Sequence, residues 1–157
     1  MKYTFFLAMI ILSQLALAAH EAPAIKLPTA DGQVDLAELQ GKVVYLDFWA
    51  SWCKPCRSSF PWMHEMQERY RTEGLEVLAV NLDKDRKLAD EFLQDMDVNF
   101  LIAFDEAGES AAQYQVRGMP SSYLISRDGK LYASHVGFRE KDKAKMEAAI
   151  RQLLAQQ

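Results

Sequence analysis

Apolar and polar positions along the chain fall into two alternating rhythms. The run Val43-Val44-Tyr45-Leu46-Asp47-Phe48-Trp49 is apolar on both faces of an extended backbone and β-branched at its start. That is the pattern of a central strand covered on both sides, with Asp47 its one interruption. Glu76 to Leu82 predicts a second buried strand and Phe100 to Phe104 a short extended piece. From Lys54 the period changes: Phe60, Met63, Met66 and Tyr70 recur at helical spacing, Gly74 supplies a stop, and Pro61 predicts a kink. Leu88, Ala89, Phe92, Leu93 and Met96 predict a second helix, Ala111 to Tyr114 a helical turn, and Met146, Ala149, Ile150, Leu153 and Leu154 a last helix over one sheet face. Ser121 to Ile125 and the strand Lys130 to Val136 flank the turn signal Asp128-Gly129, which predicts an antiparallel hairpin. A turn-rich lead containing Pro23, Pro28, Asp31 and Gly32 holds short apolar pieces at Ala24 to Leu27 and Val34 to Leu36 and reads as a smaller hairpin. The whole is an α/β chain with a mixed central β-sheet flanked by helices.

The N-terminus changes the picture of where this domain works. Lys2 precedes an apolar run from Phe5 to Leu12, and Leu15-Ala16-Leu17-Ala18-Ala19 has the small residues a signal peptidase requires. Ser13 and Gln14 interrupt the run short of the ~20 apolar residues of a membrane span. The expectation is a signal peptide over residues 1–18, cleaved after Ala18, with an uncleaved anchor as the alternative. No cysteine follows the run, so a lipid-modified signal is not expected. Residues 19–157 then suit one domain with a single core, without repeat or interdomain linker. The net charge of −4 loses one further positive group with Lys2, and a mildly acidic surface disfavours nucleic acid and anionic membranes as partners.

Cysteine usage narrows the chemistry. Only two cysteines occur, both inside Trp52-Cys53-Lys54-Pro55-Cys56. Closing so short a loop constrains the unfolded chain by roughly 2 kcal/mol, against about 4.7 for a hundred-residue loop, so a structural staple would be poorly placed here. The segment joins the end of a strand to the start of a helix, where unpaired N–H groups and the helix dipole favour an anion such as a thiolate. A thiolate is the species that attacks disulfides. Cys53 is therefore expected to attack and Cys56, one turn on and more buried, to resolve the mixed disulfide. Pro55 stiffens the pair at an early helical position and Lys54 adds a nearby cation.

Asp47 lies in the buried strand behind the cysteines, where desolvation raises a carboxyl pKa and fits it to exchange a proton with Cys56. The structural alternative is a carboxylate satisfied by a hydrogen bond. A metal site would need two further ligands, but His20, His64 and His135 sit in three separate segments without ligand spacing, so no metal and no cofactor beyond the cysteine pair is expected. Trp49, Trp52 and Trp62 all suit a core, although Trp52 beside Cys53 is better placed on a contact surface.

The segment Asp47-Phe48-Trp49-Ala50-Ser51-Trp52-Cys53-Lys54-Pro55-Cys56, with Pro61 five residues on, resembles the thioredoxin active site. The likeness extends over nearly all of residues 19–157. The lead before Val43, the helical insertion between Leu82 and Arg117, and Gly118-Met119-Pro120 are similar to the exported TlpA/ResA/DsbE-type branch. The resemblance implies a thioredoxin fold with an N-terminal hairpin and a central helical insertion. It implies a periplasmic, monomeric thiol-disulfide oxidoreductase that reduces protein disulfides and draws electrons from a membrane-embedded thiol donor. Pro120 would be a cis-proline facing the cysteines, the Met119 backbone would pair with substrate, and Gly137 would lie near the substrate groove. Many cytochrome-maturation members carry a glutamate three residues after the second cysteine where this chain has Ser59, which argues against a dedicated role in haem attachment. An oxidant of the same fold and a non-catalytic peptide-binding module are the competing functions.

Overall fold

A computed structural model describes residues 20–156, so the apolar leader and its cleavage site lie outside the described residues. Five strands form one sheet in the order β5-β4-β3-β6-β7, with β3 (Val43–Trp49) at its centre. β4 (Leu75–Asn81) and β5 (Leu101–Phe104) run parallel to β3 on one side. β6 (Ser121–Ile125) and β7 (Leu131–Val136) run antiparallel on the other. A separate antiparallel pair, β1 (Lys26–Pro28) and β2 (Gln33–Asp35), is the hairpin read from the lead.

Every residue of β3 is buried, yet the strand alternation still divides the core in two. Val43, Tyr45 and Trp49 face one cluster with α1 (Lys54–Tyr70), α2 (Arg86–Gln94) and α4 (Lys143–Leu154), through Phe60, Met63, Phe92 and Ile150. Val44, Leu46 and Phe48 face the other, where Ile25, Val34 and Leu36 of the lead and Tyr114, following α3 (Glu109–Gln113), complete the layer. Asp47 shares the parity of Tyr45 and Trp49 and so points toward the layer that α1 covers.

Local chemistry sets the boundaries. Gly74 closes the turn after α1 at φ 100°, a conformation that favours glycine. Asp85 caps α2 by accepting from the Lys87 N–H at 3.0 Å. Gly129, at φ 81°, makes the β6–β7 turn and donates its N–H to the Ser126 carbonyl. Two sequence expectations shift. Leu88, assigned to the buried stripe of α2, is exposed, and Ala89 and Phe92 alone are its buried residues. Lys130 precedes β7 and instead bridges to Glu21. Helix α1 runs through Pro61, whose missing N–H leaves the Arg57 carbonyl without its helical donor.

Candidate active site

Cys53 is the N-cap of α1, with extended φ −81° and ψ 101°, and Pro55 follows within the first two helical positions. A serine or aspartate at an N-cap accepts from the N–H groups of the first turn. A thiolate at Cys53 would occupy the same place carrying a full charge, next to the positive end of the helix dipole. Cys53 and Cys56 form a disulfide, with Cα atoms 5.3 Å apart. Both are buried in this state: Cys53 keeps 3% exposure and Cys56 none. The solvent-facing parts of the segment are Trp52, 72% exposed, together with Lys54 and Pro55. An incoming thiolate thus meets Cys53 first.

The loop between β3 and α1 is fastened from below. Asp83 accepts from the Ser51 N–H at 2.8 Å, from the Ser51 hydroxyl at 2.8 Å and from the Asn81 side-chain amide at 2.7 Å. Its own N–H donates to the Asn81 side-chain oxygen at 3.0 Å, and the Cys53 N–H donates to the Ala50 carbonyl. Sequence reasoning missed this clamp, although Asn-x-Asp directly after a buried strand carries the turn chemistry that would flag it.

Among the described residues three acids are buried, and their surroundings differ sharply. Asp83 is held by the clamp, and Asp105 accepts from the N–H groups of Glu109, Ser110 and Ala111 at the start of α3. Asp47, 1% exposed, has an Oδ2 with no hydrogen-bond partner. Burial pushes the Asp47 carboxyl well above the usual carboxylate range. The same burial, added to by the Asp47 charge, raises the Tyr45 hydroxyl. Ser59 is buried and donates to the Cys56 carbonyl at 3.0 Å, so no carboxylate stands at that position of the helix.

The segment before β6 lies at the same end of the sheet. Ser121 pairs with Phe48, so Pro120 sits beside the strand end from which the cysteine loop departs. The Met119–Pro120 peptide is cis, Pro120 is buried, and Met119 packs against the cluster that contains both cysteines. Gly137, at φ 85°, donates its N–H to the Pro120 carbonyl at 2.8 Å. A methyl on Gly118 would meet Val136 at 3.6 Å. Val136 and Trp52 are exposed large apolar side chains at this end. The three histidines stay apart, and no cluster of metal-ligating groups exists among the described residues.

Comparison with known proteins points the same way. The Redoxin family model matches residues 17–150. The thiol-disulfide oxidoreductase ResA of Bacillus cereus is 32% identical over 134 residues, covering 85% of this chain and 76% of that protein. A Chlorobium tepidum structure described as a thiol:disulfide interchange protein DsbE superposes with a TM-score of 0.86 at 48% identity, over 87% of this chain and 97% of that one. The exposed lipoprotein thioredoxin of Streptococcus pneumoniae strain TIGR4 superposes with a TM-score of 0.72 at 30% identity, over 83% and 100%.

Proposed function

Because this chain belongs to the Redoxin family and is a thiol-disulfide oxidoreductase of the ResA/DsbE type, we propose that it is exported to the periplasm, where it reduces disulfides of protein substrates. The observation that carries the reading is a single cysteine pair at the N-terminus of a helix, backed by a buried and unpartnered carboxyl. In the reduced protein Cys53 is the thiolate and attacks one sulfur of the target disulfide. A mixed disulfide forms and the other target sulfur leaves as a thiolate, which takes a proton from solvent. Cys56 then attacks Cys53, its proton passing to Asp47, and the target is released fully reduced. No cofactor enters, because both electrons come from the cysteine pair.

The apolar rim of Trp52, Met119 and Val136, beside Pro120 and Gly137, would receive an extended substrate segment. Lys54 and Pro55 tune the pair from its exposed side. Residues 1–18 act as the export signal, residues 19–157 as the working domain, and a membrane-embedded thiol donor returns the pair to its reduced form. The exposed pneumococcal lipoprotein thioredoxin, similar in fold, supports placement outside the cytoplasm. Ser59, bonded to the Cys56 carbonyl, supports general disulfide reduction over haem attachment.

The test is a redox titration against glutathione combined with trapping. A potential near thioredoxin's, about −270 mV, is expected, and one near −120 mV would make the protein an oxidant instead. Cys56→Ser should accumulate partners as mixed disulfides through Cys53. A binding module without turnover would accumulate none.

A further inference from the structure

Burial raises the Asp47 carboxyl pKa, so the proton it holds has to leave the middle of the protein before the carboxylate can take one from Cys56. Residues in register across a sheet carry their side chains on one face. Asp47 of β3 is in register with Ser122 of β6, and Ser122 with His135 of β7. Carboxyl, hydroxyl and imidazole therefore form a transverse row, roughly 10 Å long at the usual strand spacing, running from the central strand to the sheet edge. Burial falls along it: Asp47 and Ser122 are buried, whereas the His135 side chain is 27% exposed. The next row on the same face is Tyr45, Leu124 and Ala133, so a serine and a histidine stand where the neighbouring row has a leucine and an alanine.

Both ends of the row are unsatisfied. Among the described residues, three buried side-chain polar atoms lack a hydrogen-bond partner, and two of them are Asp47 Oδ2 and His135 Nε2. Asp142 Oδ2 stands 3.5 Å from that imidazole nitrogen, near enough for an ion-pair contact but not aligned as a hydrogen bond. Beside the row lies a cavity of about 90 Å³ between β6, β7 and α4, lined by Tyr45, Ser122, His135, Asp142 and Lys145 together with apolar groups. A water needs about 10–15 Å³ of such space and two to four polar partners, and these walls supply both.

We propose that Ser122 and His135, with water in this cavity, are the route by which Asp47 exchanges its proton with solvent in each turnover. The inference rests on Asp47 being the acid–base group of the second exchange. As Cys56 displaces Cys53 from the mixed disulfide, the Cys56 S–H proton moves to the Asp47 carboxylate. For that carboxylate to be free, Asp47 first gives its own proton to water beside Ser122, whose hydroxyl donates to the His135 backbone carbonyl at 3.5 Å, and that water passes one on to His135 Nε2. The imidazole passes it to solvent beside Asp142, so the row ends unchanged. The titratable groups that line the cavity with His135 are Tyr45 from β3, Tyr123 from β6, Asp142 from the turn before α4 and Lys145 from α4. Arg139 holds Asp142 by a hydrogen bond of 2.7 Å.

Stopped-flow reaction of the reduced protein with glutathione disulfide separates the first exchange from the second. At low buffer concentration Ser122→Ala and His135→Gln are expected to slow the second exchange about tenfold, within the reach of acid–base groups, and to leave the first unchanged. Raising the buffer concentration restores the rate, and Ser122→Thr, which keeps the hydroxyl, retains it. A simple packing defect would respond to neither. If Asp47→Asn slows the second exchange while Ser122→Ala and His135→Gln match the parent, the route is overturned and Asp47 keeps its role. If Asp47→Asn also matches the parent, both fall together.

Discussion

Replacing Asp47 by asparagine tests the site through stability, with the disulfide left intact. Burial raises the Asp47 carboxyl pKa in the folded protein. The folded state therefore holds a proton that the unfolded chain, with a carboxyl near 3.9, releases. Stability from this group is full below about pH 3.9 and is lost as pH rises from there toward the folded value. The loss is at most about 1.4 kcal/mol per pH unit, so by about pH 7 it cannot exceed roughly 4 kcal/mol. Asparagine does not ionise and escapes the loss, although its amide carries a packing and hydrogen-bonding cost of its own. Because that cost is independent of pH, the difference between neutral and acidic conditions isolates the ionisation. Urea unfolding of the oxidised parent and Asp47→Asn across this range should show a gap in the variant's favour that opens above about pH 4 and levels once the folded carboxyl ionises. A gap that does not change with pH would mean an unperturbed carboxyl. One that opens toward acid would mean a paired carboxylate, and either result refutes the reasoning.

Asp83→Ala removes three accepted hydrogen bonds and strands the Ser51 N–H; a loss of about 3 kcal/mol is expected in chemical denaturation. Phe60→Ala opens the contact with Trp49, Phe92 and Phe100, whose ring centroids lie 4.9, 5.1 and 5.6 Å away. It should cost about 3–5 kcal/mol, seen as a fall in unfolding midpoint. Trp52→Ala, at a side chain that is 72% exposed, should leave stability within about 0.5 kcal/mol. The same substitution should raise KM for a protein disulfide about fivefold, as loss of an apolar anchor does, while glutathione disulfide turns over as before.

Much of this molecule is legible in the chain because its strands and helices differ so sharply in period. Val43 to Trp49 could be read as a doubly covered strand, and the cysteine segment as the start of a helix, from residue types alone. Asp47 stood out as the one charge in an apolar run. What escaped was anything that depends on which strands become neighbours. Ser122 and His135 look like ordinary strand residues until the β3–β6–β7 register sets them in line with Asp47. Asn81 and Asp83 read as loop polarity until they fold beneath Ser51. Leu88 fitted a helical stripe by spacing, but it stands at the margin of a face centred on Ala89 and Phe92, and the side chain stays outside.

The most direct measurement is the rate at which each thiol of the freshly reduced protein reacts with iodoacetamide as pH is varied, followed by peptide mass spectrometry. A helix-capping thiolate at Cys53 should be labelled first, with an apparent pKa below the free value of about 8.5, while Cys56 stays protected. Labelling that begins at Cys56, or a Cys53 that reacts no faster than an ordinary thiol, would contradict it.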